Sequence, residues 1–102
     1  MSGSIWVLVY AVAPSDEPDA VLAAYHTISK ELAGTPGLLG NRLLQALDGT
    51  GRFVVMSEWR DAQAFQRWEQ GANHRDTTSP LRPYQDRGRE SSFGIYELVA
   101  SY

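Results

Sequence analysis

Read along its length, the sequence alternates apolar runs of strand character with stretches of helical period, in the order strand, helix, strand, strand, helix, strand. That order predicts an α+β fold. Three observations carry the prediction: the continuous run IWVLVYAV, a hairpin signal at DGTG, and two amphipathic stretches that each start near acidic residues and stop at glycine. Two βαβ-like halves joined by a hairpin, with right-handed crossovers, close into a ferredoxin-like βαββαβ arrangement. It has a four-stranded antiparallel sheet with both helices on one face.

The elements follow in order. Ile5 to Val12 is β-branched and aromatic throughout, as in a strand buried on both faces, and Pro14 ends it. Ser15 or Asp16 is placed to cap a helix whose positive end suits Glu17 and Asp19. Its apolar stripe is Val21, Leu22, Tyr25, Ile28 and Leu32. Gly34 with Pro36 stops it. Leu38 to Leu47 and Arg52 to Trp59 read as the hairpin strands around Asp48–Gly51. Asp61 caps a second helix, Ala62 to Gln70, closed by Gly71. A short third helix is expected near Asp76 to Leu81, and Ser92 to Val99 makes the last strand.

The chain of 102 residues suits a single domain spanning 1–102. A hydrophobic content of 43% and a charged content of 21% are ordinary for a globular protein. The net charge of −3 offers no concentrated basic face, so neither nucleic acid nor an anionic membrane is expected as partner. There are no cysteines, which excludes disulfides and thiolate chemistry. The start, MSGSIWVLVYAVAP, lacks a basic region and a cleavage pattern and is too short to span a bilayer. It reads as a strand of a soluble, cytoplasmic protein. With both helices on one face the other is left bare, yet the strands are apolar at both parities: Ile5, Val7 and Val9 oppose Trp6, Leu8 and Tyr10, and Phe53 and Val55 oppose Val54 and Met56. A bare apolar sheet face of that size predicts a homodimer packed sheet to sheet.

Several chemistries find no motif. His26 and His74 sit on different elements without ligand spacing, so no metal is expected. The glycine clusters GTPGLLG and DGTGR fit a helix stop and a hairpin turn, not a dinucleotide-binding turn, so no nicotinamide or flavin cofactor is expected. Neither Ser57 nor Ser79 lies in a nucleophile elbow. What remains is aromatic density. Trp59 closes a strand, and Phe65 and Trp68 lie one turn apart on the second helix, a spacing that serves core packing as well as ligand contact. With Tyr25, these rings are suited to walling a pocket for a planar aromatic ligand, the indole N–H and phenol O–H orienting its oxygens. His26 and His74 are the candidate proton carriers, each also readable as an ordinary solvated histidine.

The run FVVMSEWRDAQAFQRWEQGANHR, the start YAVAPSDEPDAVLAAY and the turn in GTPGLLGNRLL resemble the antibiotic biosynthesis monooxygenase family, in which a strand ending in Glu-Trp leads into a helix reading Ala-Phe-x-x-Trp. The resemblance implies a dimeric α+β barrel with a pocket between sheet and helices in each protomer. It also implies, for the best-known members, metal- and flavin-free oxidation of anthrone-type polyketides to quinones. The haem-degrading branch requires an asparagine where Leu8 stands and a histidine near Thr78; only its tryptophan, Trp68, is present. In the anthrone-oxidising branch Trp59 matches. The asparagine position holds Val55, the tyrosine position holds Phe65, and Arg82 falls near the arginine.

The expected function is a cofactor-independent monooxygenase acting on a hydrophobic, anthrone-like aromatic substrate. His26, His74 and Arg82 are the candidate catalytic groups; Trp59, Trp68, Tyr25, Phe65, Val55 and Leu8 are the candidate substrate contacts. A non-redox cyclase or isomerase, and a dimer that only binds a small molecule, stand as the alternatives.

Overall fold

A computed structural model of the chain describes residues 3–71 and 74–102, apart from the side chains of His74 and Arg75. Its elements are β1 (Ile5–Val12), α1 (Ala20–Leu32), β2 (Leu38–Gln45), β3 (Arg52–Trp59), α2 (Ala62–Glu69), α3 (His74–Thr78), a 3₁₀ helix (Ser79–Tyr84) and β4 (Phe93–Glu97). The strands pair antiparallel in the order β2-β3-β1-β4, the ferredoxin-like arrangement that the element order predicts.

Four elements differ from the sequence reading by more than one residue at an end, and α2 ends one residue early, at Glu69. α1 starts at Ala20, not after Ser15 or Asp16. The chain first runs through two turns, Pro14 carbonyl to Glu17 N–H (3.0 Å) and Glu17 carbonyl to Ala20 N–H (3.1 Å), around Pro18, which has no N–H to give. The stripe is accordingly Val21, Ala24, Ile28 and Leu32, with Leu22 exposed. β2 stops at Gln45, and β4 is confined to Phe93–Glu97. The expected third helix begins earlier, at His74, and continues as the 3₁₀ helix, where Pro80 and Pro83 remove two N–H donors that an α-helix would use.

Asp61 caps α2 as its position predicts, its carboxylate accepting from the Ala64 N–H at 2.8 Å. That bond, aided by Arg60, holds the Asp61 carboxyl below the usual carboxylate range. At the other end of the α1–β2 turn, Gly37 has φ +83°, and its carbonyl accepts from the Arg60 N–H at 2.8 Å. A Cβ at this position would overlap that of Ala64, so the turn and α2 pack this closely only through glycine. Gly37→Ala should lower the unfolding free energy by about 2–4 kcal/mol, the sum of left-handed strain and overpacking; urea denaturation measures it.

The strand register sorts side chains between two faces. On the helix side, Ile5, Val7, Val9 and Ala11 stand opposite Trp59, Ser57, Val55 and Phe53. Two buried clusters form there. One joins Ala11, Phe53, Val21, Ile28 and Leu81; the other joins Ile5, Val7, Trp59, Ala64 and Phe65. Val9, Leu38 and Trp68, half-buried, pack against both. Leu81 in the first cluster pins the 3₁₀ helix to α1, and the Asp86 N–H bonds the Tyr10 carbonyl (2.9 Å) to hold the following segment along β1. On the opposite face Trp6, Leu8 and Tyr10 pair with Glu58, Met56 and Val54, all half-buried, with the Arg89 guanidinium 3.6 Å over the Tyr10 ring.

Candidate active site

A cavity of about 320 Å³ opens between the sheet and the helices, where the two core clusters meet. That volume is at the lower end of the range for small-molecule sites. Tyr25, Val55, Trp59, Phe65, Trp68 and Arg82 all line it. The expected contact Leu8 and the candidate catalytic His26 do not. Leu8 alternates with Val7 and Val9, so it points to the opposite face of the sheet, beside Met56 and Gly94. His26 follows Tyr25 on α1, about 100° further round the helix, and is exposed; its ring meets the edge of Tyr25 at 5.7 Å on the outer side. His26 therefore cannot serve as the base of this cavity without leaving its face of the helix. His74 opens α3, but its side chain lies outside the described residues.

The aromatic wall is one connected stack. Trp59 and Trp68 lie 5.3 Å apart at 30°, and Phe65 meets Trp59 edge-on at 5.5 Å. Trp59 is only 1% exposed, so most of it is core and one edge is wall. The polar tips expected to orient a ligand are already engaged. The Trp59 indole N–H donates to Ser57 Oγ at 2.9 Å, and the Tyr25 hydroxyl donates to the Asn41 carbonyl at 3.0 Å.

The groups left to act on a ligand come mainly from the segment after α2. Arg82 donates through Nη2 to Thr78 Oγ1 at 3.3 Å, and makes no ion pair among the described residues. Its Nε is buried with no hydrogen-bond partner. A guanidinium held this way presents positive charge and an unused donor beside an apolar chamber, an arrangement that attracts an anionic or carbonyl oxygen. Glu69, at the end of α2, is the carboxylate among the described lining residues.

Sequence reading did not find Glu69, nor Asn41 and Ser57, which line the cavity as well. Ser57 was open to recognition, because it alternates with Val55 and Trp59 on one strand face. Asn41 was not, since its place depends on the β2–β3 register, which is interrupted between Leu38 and Gly40.

Residues 4–79 match the model of a family described as antibiotic biosynthesis monooxygenase. Protein SchA of Streptomyces halstedii is 34% identical over 64 residues, covering 63% of this chain and 17% of SchA. The 42.8 kDa protein in the whiE locus of Streptomyces coelicolor is 35% identical over 60 residues, covering 59% of this chain and 15% of that protein. The chain thus spans no more than 17% of the length of either of these relatives. Among solved structures, SnoaB, a cofactor-independent oxygenase from Streptomyces nogalater, superposes with a TM-score of 0.78 at 19% identity, covering 99% of this chain and 97% of SnoaB. A structure described as an antibiotic biosynthesis monooxygenase gives a TM-score of 0.68 at 17% identity, covering 96% of this chain and 99% of its own. At these identities the two structures speak for the fold.

Proposed function

The chain belongs to the antibiotic biosynthesis monooxygenase family, and from that premise we propose that it is a cofactor-independent monooxygenase of secondary metabolism that oxidises an anthrone-like aromatic polyketide to a quinone. The observation that carries this reading is the buried, unpartnered Nε of Arg82 beside an aromatic-walled cavity. In such a substrate the methylene between two aryl rings is acidified by the ketone across the ring. Glu69 takes one of its protons, and the negative charge that moves to the ketone oxygen is held by Arg82. The resulting anion gives an electron to dioxygen, and the radical pair combines to a peroxide at the same carbon. Glu69 returns its proton to the peroxide, and the O–O bond breaks as the carbon gives up its remaining hydrogen. Loss of water leaves the quinone, so one oxygen atom enters the product and the other leaves as water. The dry aromatic wall keeps bulk water from quenching the anion.

The bare face of the sheet belongs to the same proposal. A second copy covers Trp6, Leu8 and Tyr10, giving a dimer with one cavity in each protomer. Light scattering on the purified protein should read a mass of two chains.

A non-redox cyclase or isomerase is favoured by one observation: Val55 and Phe65 bring only carbon to the wall. Oxygen uptake by metal-stripped protein given anthrone, with mass spectrometry of the product, separates the readings. Uptake with gain of one oxygen supports the oxygenase, and Glu69→Gln should slow it on the order of 100-fold. Conversion without uptake moves the cyclase ahead, and binding without conversion leaves a small-molecule-binding protein.

A further inference from the structure

Where β2 and β3 pair, Asn41 stands opposite Ser57, and both face the cavity. Ser57 Oγ accepts the Trp59 indole N–H at 2.9 Å, which leaves the hydroxyl with its own proton to give. No acceptor among the described residues takes it. Asn41 is held from the α1 side: its Nδ2 donates to Ser29 Oγ at 2.9 Å, and its backbone carbonyl accepts from Tyr25 at 3.0 Å. Its Oδ1 is buried and accepts nothing. One unused donor and one unused acceptor therefore sit on neighbouring strands at the sheet wall of the cavity.

The chemistry of the missing partner follows from this pairing. A ketone or ether oxygen satisfies Ser57 and leaves Asn41 Oδ1 without a donor. An ammonium does the reverse and also meets the positive charge of Arg82 across the same chamber. A neutral hydroxyl does both at once. We propose that Ser57 and Asn41 form a specificity site in which the Ser57 hydroxyl donates a hydrogen bond to, and Asn41 Oδ1 accepts one from, a hydroxyl on the aromatic ligand. The substrate class is thereby narrowed from a polycyclic ketone to a hydroxylated one. The inference rests on the proposed aromatic-substrate reading. Trp59 takes part as a positioning residue, because its N–H sets which way the Ser57 hydroxyl can turn.

The test uses ligands that are already oxidised and so consume no oxygen. Tryptophan quenching in the full chain is titrated with 2-hydroxyanthraquinone and 2-methoxyanthraquinone, at a pH that keeps the phenol protonated. The hydroxy compound should bind about tenfold more tightly, the discrimination expected when a buried polar pair is left half satisfied. Asn41→Leu should erase most of that preference while the methoxy compound binds as before. Ser57→Ala should weaken both compounds alike because each offers Ser57 an oxygen, and Asn41→Asp, which keeps an acceptor, should retain the preference. Equal binding of the two compounds by the wild type, a preference that survives Asn41→Leu, or Ser57→Ala leaving both affinities unchanged overturns the proposal, as does binding of neither compound. Oxygen uptake is read separately. A hydroxyl preference without uptake sinks the oxygenase and spares the specificity site; uptake without the preference does the opposite.

Discussion

Replacing Arg82 with methionine is expected to cut turnover by about 10²–10³-fold, the cost of losing a donor to a developing oxyanion, while leaving the protein no less stable. The two effects part because Arg82 is placed for a ligand and not for the fold. Its Nε is buried without a partner, its only hydrogen bond to a described residue is the 3.3 Å contact to Thr78, and it forms no ion pair with a carboxylate among the described residues. Leaving such a group unsatisfied costs the folded state about 1–3 kcal/mol. Methionine keeps the length and apolar stem of the side chain and removes that penalty. Thermal melting and oxygen uptake on the same preparation decide the matter. A variant that melts well below wild type would make Arg82 a structural residue and take away the main support for the oxyanion role. Arg82→Lys should recover part of the rate, because it returns the charge without the planar fork.

Truncating Trp59 to alanine is expected to act the other way round, through stability first. This residue is almost fully buried, stacks on Trp68, meets Phe65 edge-on and ties its N–H to Ser57. Removing it should cost about 3–5 kcal/mol, a large part of the 5–15 kcal/mol available to a small domain. The melting temperature should fall by roughly 20 °C. Trp59→Phe keeps the ring in the stack and should fold, so its activity reports on the wall and on the orientation of Ser57. A melting curve for Trp59→Ala close to wild type would mean that the two core clusters do not depend on the ring between them.

The sheet, the hairpin and the capped second helix were legible because each follows from local chemistry: β-branched runs, a Gly-rich turn, an aspartate before an amphipathic stretch. The start of α1 was not, because Ser15 and Asp16 are good caps that lose to the two turns around Pro18. For the cavity, tyrosine and tryptophan walls were found from aromatic density, and Arg82 from family resemblance. The place of His26 outside the cavity lining follows from the sequence pattern: once Tyr25 is assigned to the inner stripe of a helix, its neighbour must look elsewhere. Leu8 failed in the same way on a strand. Ser57 was within reach of strand alternation with Val55 and Trp59, whereas Asn41 and Glu69 depend on which strands and helix ends meet in space, and periodicity does not carry that information.

The division of labour along the chain has an evolutionary consequence. The strands, α1 and α2 carry the packing, whereas Arg82 and Thr78 sit on the short helical connection between α2 and β4, fastened by Leu81 and by the Asp86–Tyr10 backbone bond. Insertions, deletions and side-chain changes in that connection can alter which oxygen is gripped without disturbing the sheet. A scaffold built this way can acquire new substrates by drift in one segment, while selection on stability acts on another.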